Sequence, residues 1–314
     1  MLFKKNFQNA LSAVMSILII GVTNAQTKTE IPKSVLWEVS GKDIKTSYIF
    51  GTMHLMPKDD FLIDTPTKKS FDAAEQVVFE IDMKEMENPM VLMGVMGKMI
   101  MPGDTTIKDL ITDEDYKLLK SKFDASGLPL EMMQNMKPMF LSMLTDGDAL
   151  KGGLSGAPGA DDGKTKTMSY ELEFSKLAKT EKKSTAGLET MDFQLGLFDS
   201  IPLKAQADML VEGLKNKSDG KDEMKDMVKI YLDKDIEKMS GLISADKSSK
   251  NGMASFEAMF LDNRNRNWIS KIEKLMHDKS SFIAVGAAHL GGAKGVLNLL
   301  KLKGYTIKPL QIKA

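Results

Sequence analysis

Hydrophobic and polar positions along this chain follow two different periods, and the change from one to the other divides it into elements. Val35-Leu36-Trp37-Glu38-Val39 and Ser47-Tyr48-Ile49-Phe50 are β-rich runs on either side of Ser40-Gly41-Lys42-Asp43, whose turn chemistry predicts a hairpin. A helix over about 67–75 leads into Val77-Val78-Phe79-Glu80-Ile81-Asp82, a short apolar run of the kind that forms a buried strand. From Met83 to Asp146 the pattern turns helical. Met86, Met90, Met93 and Gly97 follow at spacings of four, three and four, with breaks expected at Pro102-Gly103, Gly127 and Pro138. The glycine-rich stretch 152–163 reads as a mobile loop or linker. Beyond it the pattern predicts a helix over 169–179, a short strand Thr185-Ala186-Gly187-Leu188 and several amphipathic helices between Asp192 and Lys274. A buried strand Ser281-Phe282-Ile283-Ala284-Val285, a helix over 292–303 and a last strand from Tyr305 to Leu310 complete the chain. Strands alternating with helices, in runs too apolar to be half exposed, predict an α/β fold. Its mixed central β-sheet is flanked by helices, and a Met-rich helical insertion, about 83–168, stands outside the sheet.

The first residues follow neither period. Lys4 and Lys5 precede an apolar run from Leu11 to Val22, and Thr23-Asn24-Ala25 ends it. A charged start, a short apolar core and a small residue at the break predict a secretory signal peptide over 1–25. The mature chain, 26–314, then forms a single domain in the periplasm or outside the cell, with no integral membrane segment left after cleavage.

Composition narrows the chemistry. Lysine and arginine number 43 and aspartate and glutamate 43, so no net field attracts a polyanion, and nucleic acid is not an expected partner. With no cysteine in 314 residues there is no disulfide framework, thiolate metal site or thiol nucleophile. Only three histidines remain as nitrogen ligands. Two of them share a context: Tyr48-Ile49-Phe50 runs into Gly51-Thr52-Met53-His54-Leu55, and Ile283-Ala284-Val285 into Gly286-Ala287-Ala288-His289-Leu290. In open α/β sheets ligands gather beyond the carboxyl ends of the strands, where both imidazoles would emerge, so the two could converge on one site. They could equally be turn histidines bonded to the backbone. A helix start just after His289 is expected to keep that imidazole neutral. His277 ends an amphipathic helix and reads as a surface cap.

Carboxylates complete the candidate set. Glu80 stands inside an apolar run and needs a partner there. Asp82 follows two residues on, and Glu189 stands at a strand's carboxyl edge like the histidines. Arg264 and Arg266 are the only arginines, against 41 lysines, which points to a use for the planar guanidinium fork. A spacing of two cannot place both on one helix face.

Taken in order, Gly51 to His54, Phe79-Glu80-Ile81-Asp82, Gly187-Leu188-Glu189-Thr190 with Gln194, Arg264-Asn265 before Trp268, and Val285 to Leu290 with Gly295 and Gly304-Tyr305 resemble the TraB/PrgY/GumN family. That family includes the Tiki proteases and is distantly similar to the erythromycin esterase and ChaN folds. The resemblance covers about Val35 to Leu310. It implies a site formed by the two GxxH histidines, His54 and His289, as metal-binding or catalytic groups, with Glu80 as acidic partner and Arg264 as electrostatic element. Glu171 stands where many relatives have aspartate, and Asn263 where an acidic residue often precedes Arg-Asn.

The expected activity is a metal-dependent hydrolase acting on a peptide or protein substrate. His54, His289 and Glu80 would hold a divalent ion (Zn, Mn, Co or Fe), and Arg264 would steady the developing oxyanion. The same residues allow a metal-free, esterase-like hydrolase with His54 as general base on water. They also allow a non-catalytic peptide-binding or pheromone-control module, in which the Met83 to Met143 segment repacks around its partner. Helical spacing of those methionines favours core filling over a groove or a Cu(I) site.

Overall fold

The structure, a computed structural model, describes residues 32–145, 167–215, 220–245 and 257–310. The expected signal segment 1–25 and the glycine-rich stretch 152–163 lie outside these residues. A six-stranded sheet in the order β6-β4-β7-β2-β1-β8 forms the centre, and among the described residues 11 α-helices flank it. The expected α/β class, with a mixed sheet, is what the chain adopts.

The hairpin is β1 (Leu36–Ser40) antiparallel to β2 (Ser47–Thr52), with Asp43 at φ 62° in the turn. β3 (Met56–Pro57) pairs outside the main sheet with β5 (Thr167–Met168). β4 (Gln76–Ile81), β6 (Ser184–Glu189) and β7 (Ser281–Gly286) join β2 as four adjacent parallel strands, while β8 (Thr306–Pro309) closes the far edge against β1. Parallel strands covered on both faces must be apolar throughout, and Phe282 to Val285 and Val77 to Phe79 are fully buried. Phe50, Phe71, Phe174, Phe282 and Tyr170 pack ring on ring over the sheet at centroid separations of 4.9 to 6.1 Å.

Side-chain caps fix the helix starts. Asp64 accepts from the Thr67 amide before α1 (Thr65–Ala73), and Asn88 from the Met90 amide before α2 (Pro89–Met99). The insertion continues with α3 (Asp113–Ala125) and α4 (Pro138–Thr145). Gly103 and Gly127 break it as expected, both at positive φ, but Pro138 opens α4, because the first helical turn needs no proline N–H. The insertion has a core of its own, in which Ile107, Leu119, Phe123 and Leu141 pack with Leu210 of α7 (Leu203–Lys215). Between them lie α5 (Tyr170–Thr180), capped by Ser169, and α6 (Met191–Leu197), capped by Thr190. α8 (Gly220–Leu232), α9 (Ile236–Ala245), α10 (Asn263–Asp278) and α11 (Val296–Leu302) follow.

Core filling does not describe the methionines of α2. Met90, Met93 and Met96 are 82%, 73% and 68% exposed, and only Val95 of that helix is buried. The helix is apolar all round, so its period could not say which side the core would take. No described helix is long and apolar enough to cross a membrane.

Candidate functional site

Each of the four parallel strands carries one candidate residue at or just beyond its carboxyl end. Across the sheet they run Glu189 (β6), Glu80 (β4), His289 (after β7) and His54 (after β2). Two glycines make this convergence possible. A Cβ on Gly51 would come 3.1 Å from Cα and Cβ of Ala287 and 2.9 Å from Leu290, so the two GxxH turns pack directly on one another. A Cβ on Gly286 would meet Glu80 Oε1 at 3.3 Å, and the Gly286 amide donates to that oxygen at 2.8 Å.

Arg264 is the hub of the buried part. Its Nε donates to Glu189 Oε1 at 2.9 Å; Nη2 donates to the same oxygen at 2.5 Å and to Glu80 Oε2 at 2.6 Å. Nη1 donates to the Phe260 carbonyl at 3.0 Å and lies 3.2 Å from His289 Nε2. Those contacts use all five guanidinium N–H groups. Gln194 adds donors to Glu80 (3.1 Å) and Glu189 (2.6 Å), and the Trp268 indole donates to Glu189 Oε2 at 2.9 Å. A π-helical turn, Ala258–Asp262, precedes α10 and brings Phe260 to this point. Arg266, two residues on, is exposed and bonds Asn263, so only one of the two arginines faces the site.

The histidines differ in state. His289 is buried; Asn265 Nδ2 donates to the Lys294 carbonyl, so Asn265 Oδ1 accepts from His289 Nδ1 at 2.6 Å, and Nε2 keeps its lone pair towards Arg264. Burial pushes this imidazole down to about 4, so it is neutral at pH 7. The expected helix start plays no part, since His289 ends a short 3-10 turn, Ala287–His289, and α11 begins only at Val296. His54 is the opposite case, with 67% of its side chain exposed. Its Nδ1 lies 2.9 Å from Glu171 Oε1, and that carboxylate also accepts from Thr52 Oγ1 (2.5 Å) and Ser169 Oγ (2.8 Å). Glu171 holds the His54 imidazolium above the ordinary histidine range, at about 9. Burial alone would raise Glu80 and Glu171. The charges facing them (His289 once it is protonated in acid, Arg264 and His54 for Glu80; His54 for Glu171) and their N–H and O–H donors outweigh it, and both fall to about 2.

Glu171 is the residue whose role the sequence did not disclose. Asp82 leaves the cluster, accepting from Thr185 Oγ1 at 2.9 Å and from the Lys84 amide. His277 is exposed at the end of α10, with Nδ1 2.6 Å from the Asp43 carbonyl.

A sequence profile matches residues 35–309, which decides the relationship. The chain belongs to the TraB/PrgY/gumN family. No curated protein and no solved structure gives a significant match. For this family member the expected ion can be tested against the donor chemistry. Among the described residues no group of three or more histidine, aspartate and glutamate side chains is disposed to hold a metal. Both Glu80 oxygens accept from Arg264, Gln194 and Gly286, and His289 Nε2 faces an Arg264 N–H. As placed, His54, His289 and Glu80 do not fit one shared ion, because a guanidinium already occupies the space between two of them.

Proposed function

We propose that this TraB/PrgY/gumN member is a hydrolase of peptide bonds in which His54 transfers protons and Glu171 orients it. The observation that carries this reading is the His54–Glu171 contact: a buried carboxylate fixes Nδ1–H and leaves Nε2 facing solvent. In neutral form His54 Nε2 takes a proton from water while the water oxygen bonds to the substrate carbonyl carbon. The C–N bond then breaks as Nε2–H returns that proton to the leaving amine. Arg264 has no free N–H for an oxyanion, so it acts by holding Glu80, Glu189 and His289 in position at the strand ends.

A metal-dependent peptidase, with His54, His289 and Glu80 around Zn, Mn, Co or Fe, is the competing version, and it requires Arg264 to withdraw. Peptidase activity that survives exhaustive chelation and is lost in His54→Ala is the expected result. Activity lost on chelation and restored by one divalent ion would replace the proposal with the metal version. The exposed methionines favour a second reading, a module that binds peptides without cleaving them. Peptides recovered intact after long incubation would establish it. We also propose that residues 1–25 direct export, for which a mature N-terminus at Gln26 in the periplasmic or extracellular fraction is the expected observation.

A further inference from the structure

Tyr231 is a buried tyrosine beside the site that the proposed chemistry does not use. It stands in the last turn of α8, 4% exposed, and its hydroxyl donates to the Gly51 carbonyl at 2.8 Å. A buried hydroxyl needs a partner, and this one is the last carbonyl but one of β2, three residues before His54. Gly51 is held elsewhere too: its amide donates to the Val35 carbonyl at 2.7 Å, and its open face packs on Ala287. Tyr231 adds a hold on the carbonyl, close to the point where the chain leaves the sheet for His54.

The ring of Tyr231 reaches the other partner of the His54–Glu171 pair. Its centroid lies 5.9 Å from that of Tyr170, the residue beside Glu171 at the start of α5. Tyr170 packs in turn on Phe50, the residue before Gly51, at 5.2 Å. One side chain thus meets both the strand end that carries His54 and the helix start that carries Glu171. α8 is itself anchored on the second histidine turn. Lys234, at φ 57°, turns the chain out of α8, and a Cβ on Gly291 would come 2.4 Å from the Ile236 carbonyl that follows. Glu237 accepts from the Gly292 amide at 2.8 Å. The segment after His289 therefore fixes the helix end that presents Tyr231 to Gly51.

We infer that Tyr231 is a positioning residue, whose hydroxyl on Gly51 and ring on Tyr170 together set the spacing of His54 and Glu171. The inference rests on the hydrolase reading for its effect on rate, but not for its effect on the contact between those two residues. Burial holds the phenol well above its ordinary range, so it stays a donor wherever the imidazole works. Without the hydroxyl the Gly51 carbonyl loses a buried donor, and the turn that carries His54 is free to shift away from Glu171. A base displaced in this way stays in the site but no longer meets water and substrate at the working angle.

The test is Tyr231→Phe, which keeps the ring and removes only the hydroxyl. In isotope-labelled protein the His54 Nδ1–H, assigned by its absence from His54→Ala, should give the downfield proton resonance of an imidazole bonded to a carboxylate. Tyr231→Phe should move or broaden that resonance. Ser281→Ala is the control: it removes a buried hydroxyl that accepts from Gln76 Nε2 at 2.9 Å, at the opposite ends of β4 and β7, and should leave the resonance in place. With fluorescein-labelled casein as the probe, Tyr231→Phe should lower kcat by about 10 to 10²-fold at unchanged KM. A His54 resonance unmoved in Tyr231→Phe, or moved as far in Ser281→Ala, overturns the inference, and so does a rise in KM alone. Failure of the hydrolase reading would show separately, as casein left intact by the wild type, and the resonance would still decide the role of Tyr231.

Discussion

Glu171 holds His54 at Nδ1, 2.9 Å away, although 117 residues separate them in the chain. The carboxylate is itself held by Thr52 and Ser169, so the imidazole edge turned to solvent is Nε2. Glu171→Gln keeps the shape and removes the charge. The His54 pKa should then fall from about 9 towards 6.5, measured by NMR titration of the imidazole. This needs no substrate, and an unmoved pKa would remove Glu171 from the proposed mechanism.

The same pair sets the pH dependence of activity. A general base must be neutral, and a raised pKa delays that, so kcat/KM should climb as pH rises through about 9. In Glu171→Gln the rising limb should move to lower pH while the plateau drops about 10² to 10⁴-fold. A wild-type profile that is flat from pH 6 to 10 contradicts His54 as the base.

Arg264 lies between two buried carboxylates. Arg264→Met leaves Glu80 and Glu189 without their cation, a loss of about 3 to 5 kcal/mol in denaturant unfolding. Arg264→Lys should recover little of it, because one ammonium cannot reach Glu80, Glu189, the Phe260 carbonyl and His289 in the directions the fork uses. Full recovery by lysine would reduce the role of Arg264 to bare charge.

Folding stability should fall in two stages on acidification. His289 titrates at about 4 when folded and 6.5 when free, so between those values the unfolded chain binds more protons and stability drops as pH falls, by up to about 3 kcal/mol. Glu80 and Glu171, depressed from 4.5 to about 2, contribute stability that is complete above 4.5 and lost as pH falls towards 2. His289→Asn should flatten the first stage in urea titrations and leave the Glu171 part of the second, while Glu80, without the His289 charge, protonates at higher pH.

How much of this the sequence discloses depends on the kind of signal each residue carries. β2, β4 and β7 were legible because buried parallel strands are continuous apolar runs. His54 and His289 stood out by scarcity and repeated context, Glu80 by sitting among Val and Ile, and Arg264 by being one of two arginines. Glu171 gave no such sign: it is an acidic residue in the first turn of a helix, where carboxylates are common for reasons of the dipole. Gln194 and Asn265 are neutral, so their partners are set by tertiary placement alone. Which way α2 faces was hidden for a different reason, since a helix apolar on every side has no stripe to orient it.

That ambiguity in α2 yields the last prediction. If Met90, Met93 and Met96 filled a core, each replacement by glutamine would bury an amide in place of a thioether and cost several kcal/mol. Exposed as they are, each should change unfolding free energy by no more than about 0.5 kcal/mol. Met56 and Met276, both fully buried, provide the contrast within the same protein, and truncation of either to alanine should cost about 2 to 5 kcal/mol. Thermal and urea unfolding of the five single variants separates the two groups. A large loss at Met93 would mean that α2 packs its methionines inward, and the peptide-binding reading of the exposed methionines would fail with it.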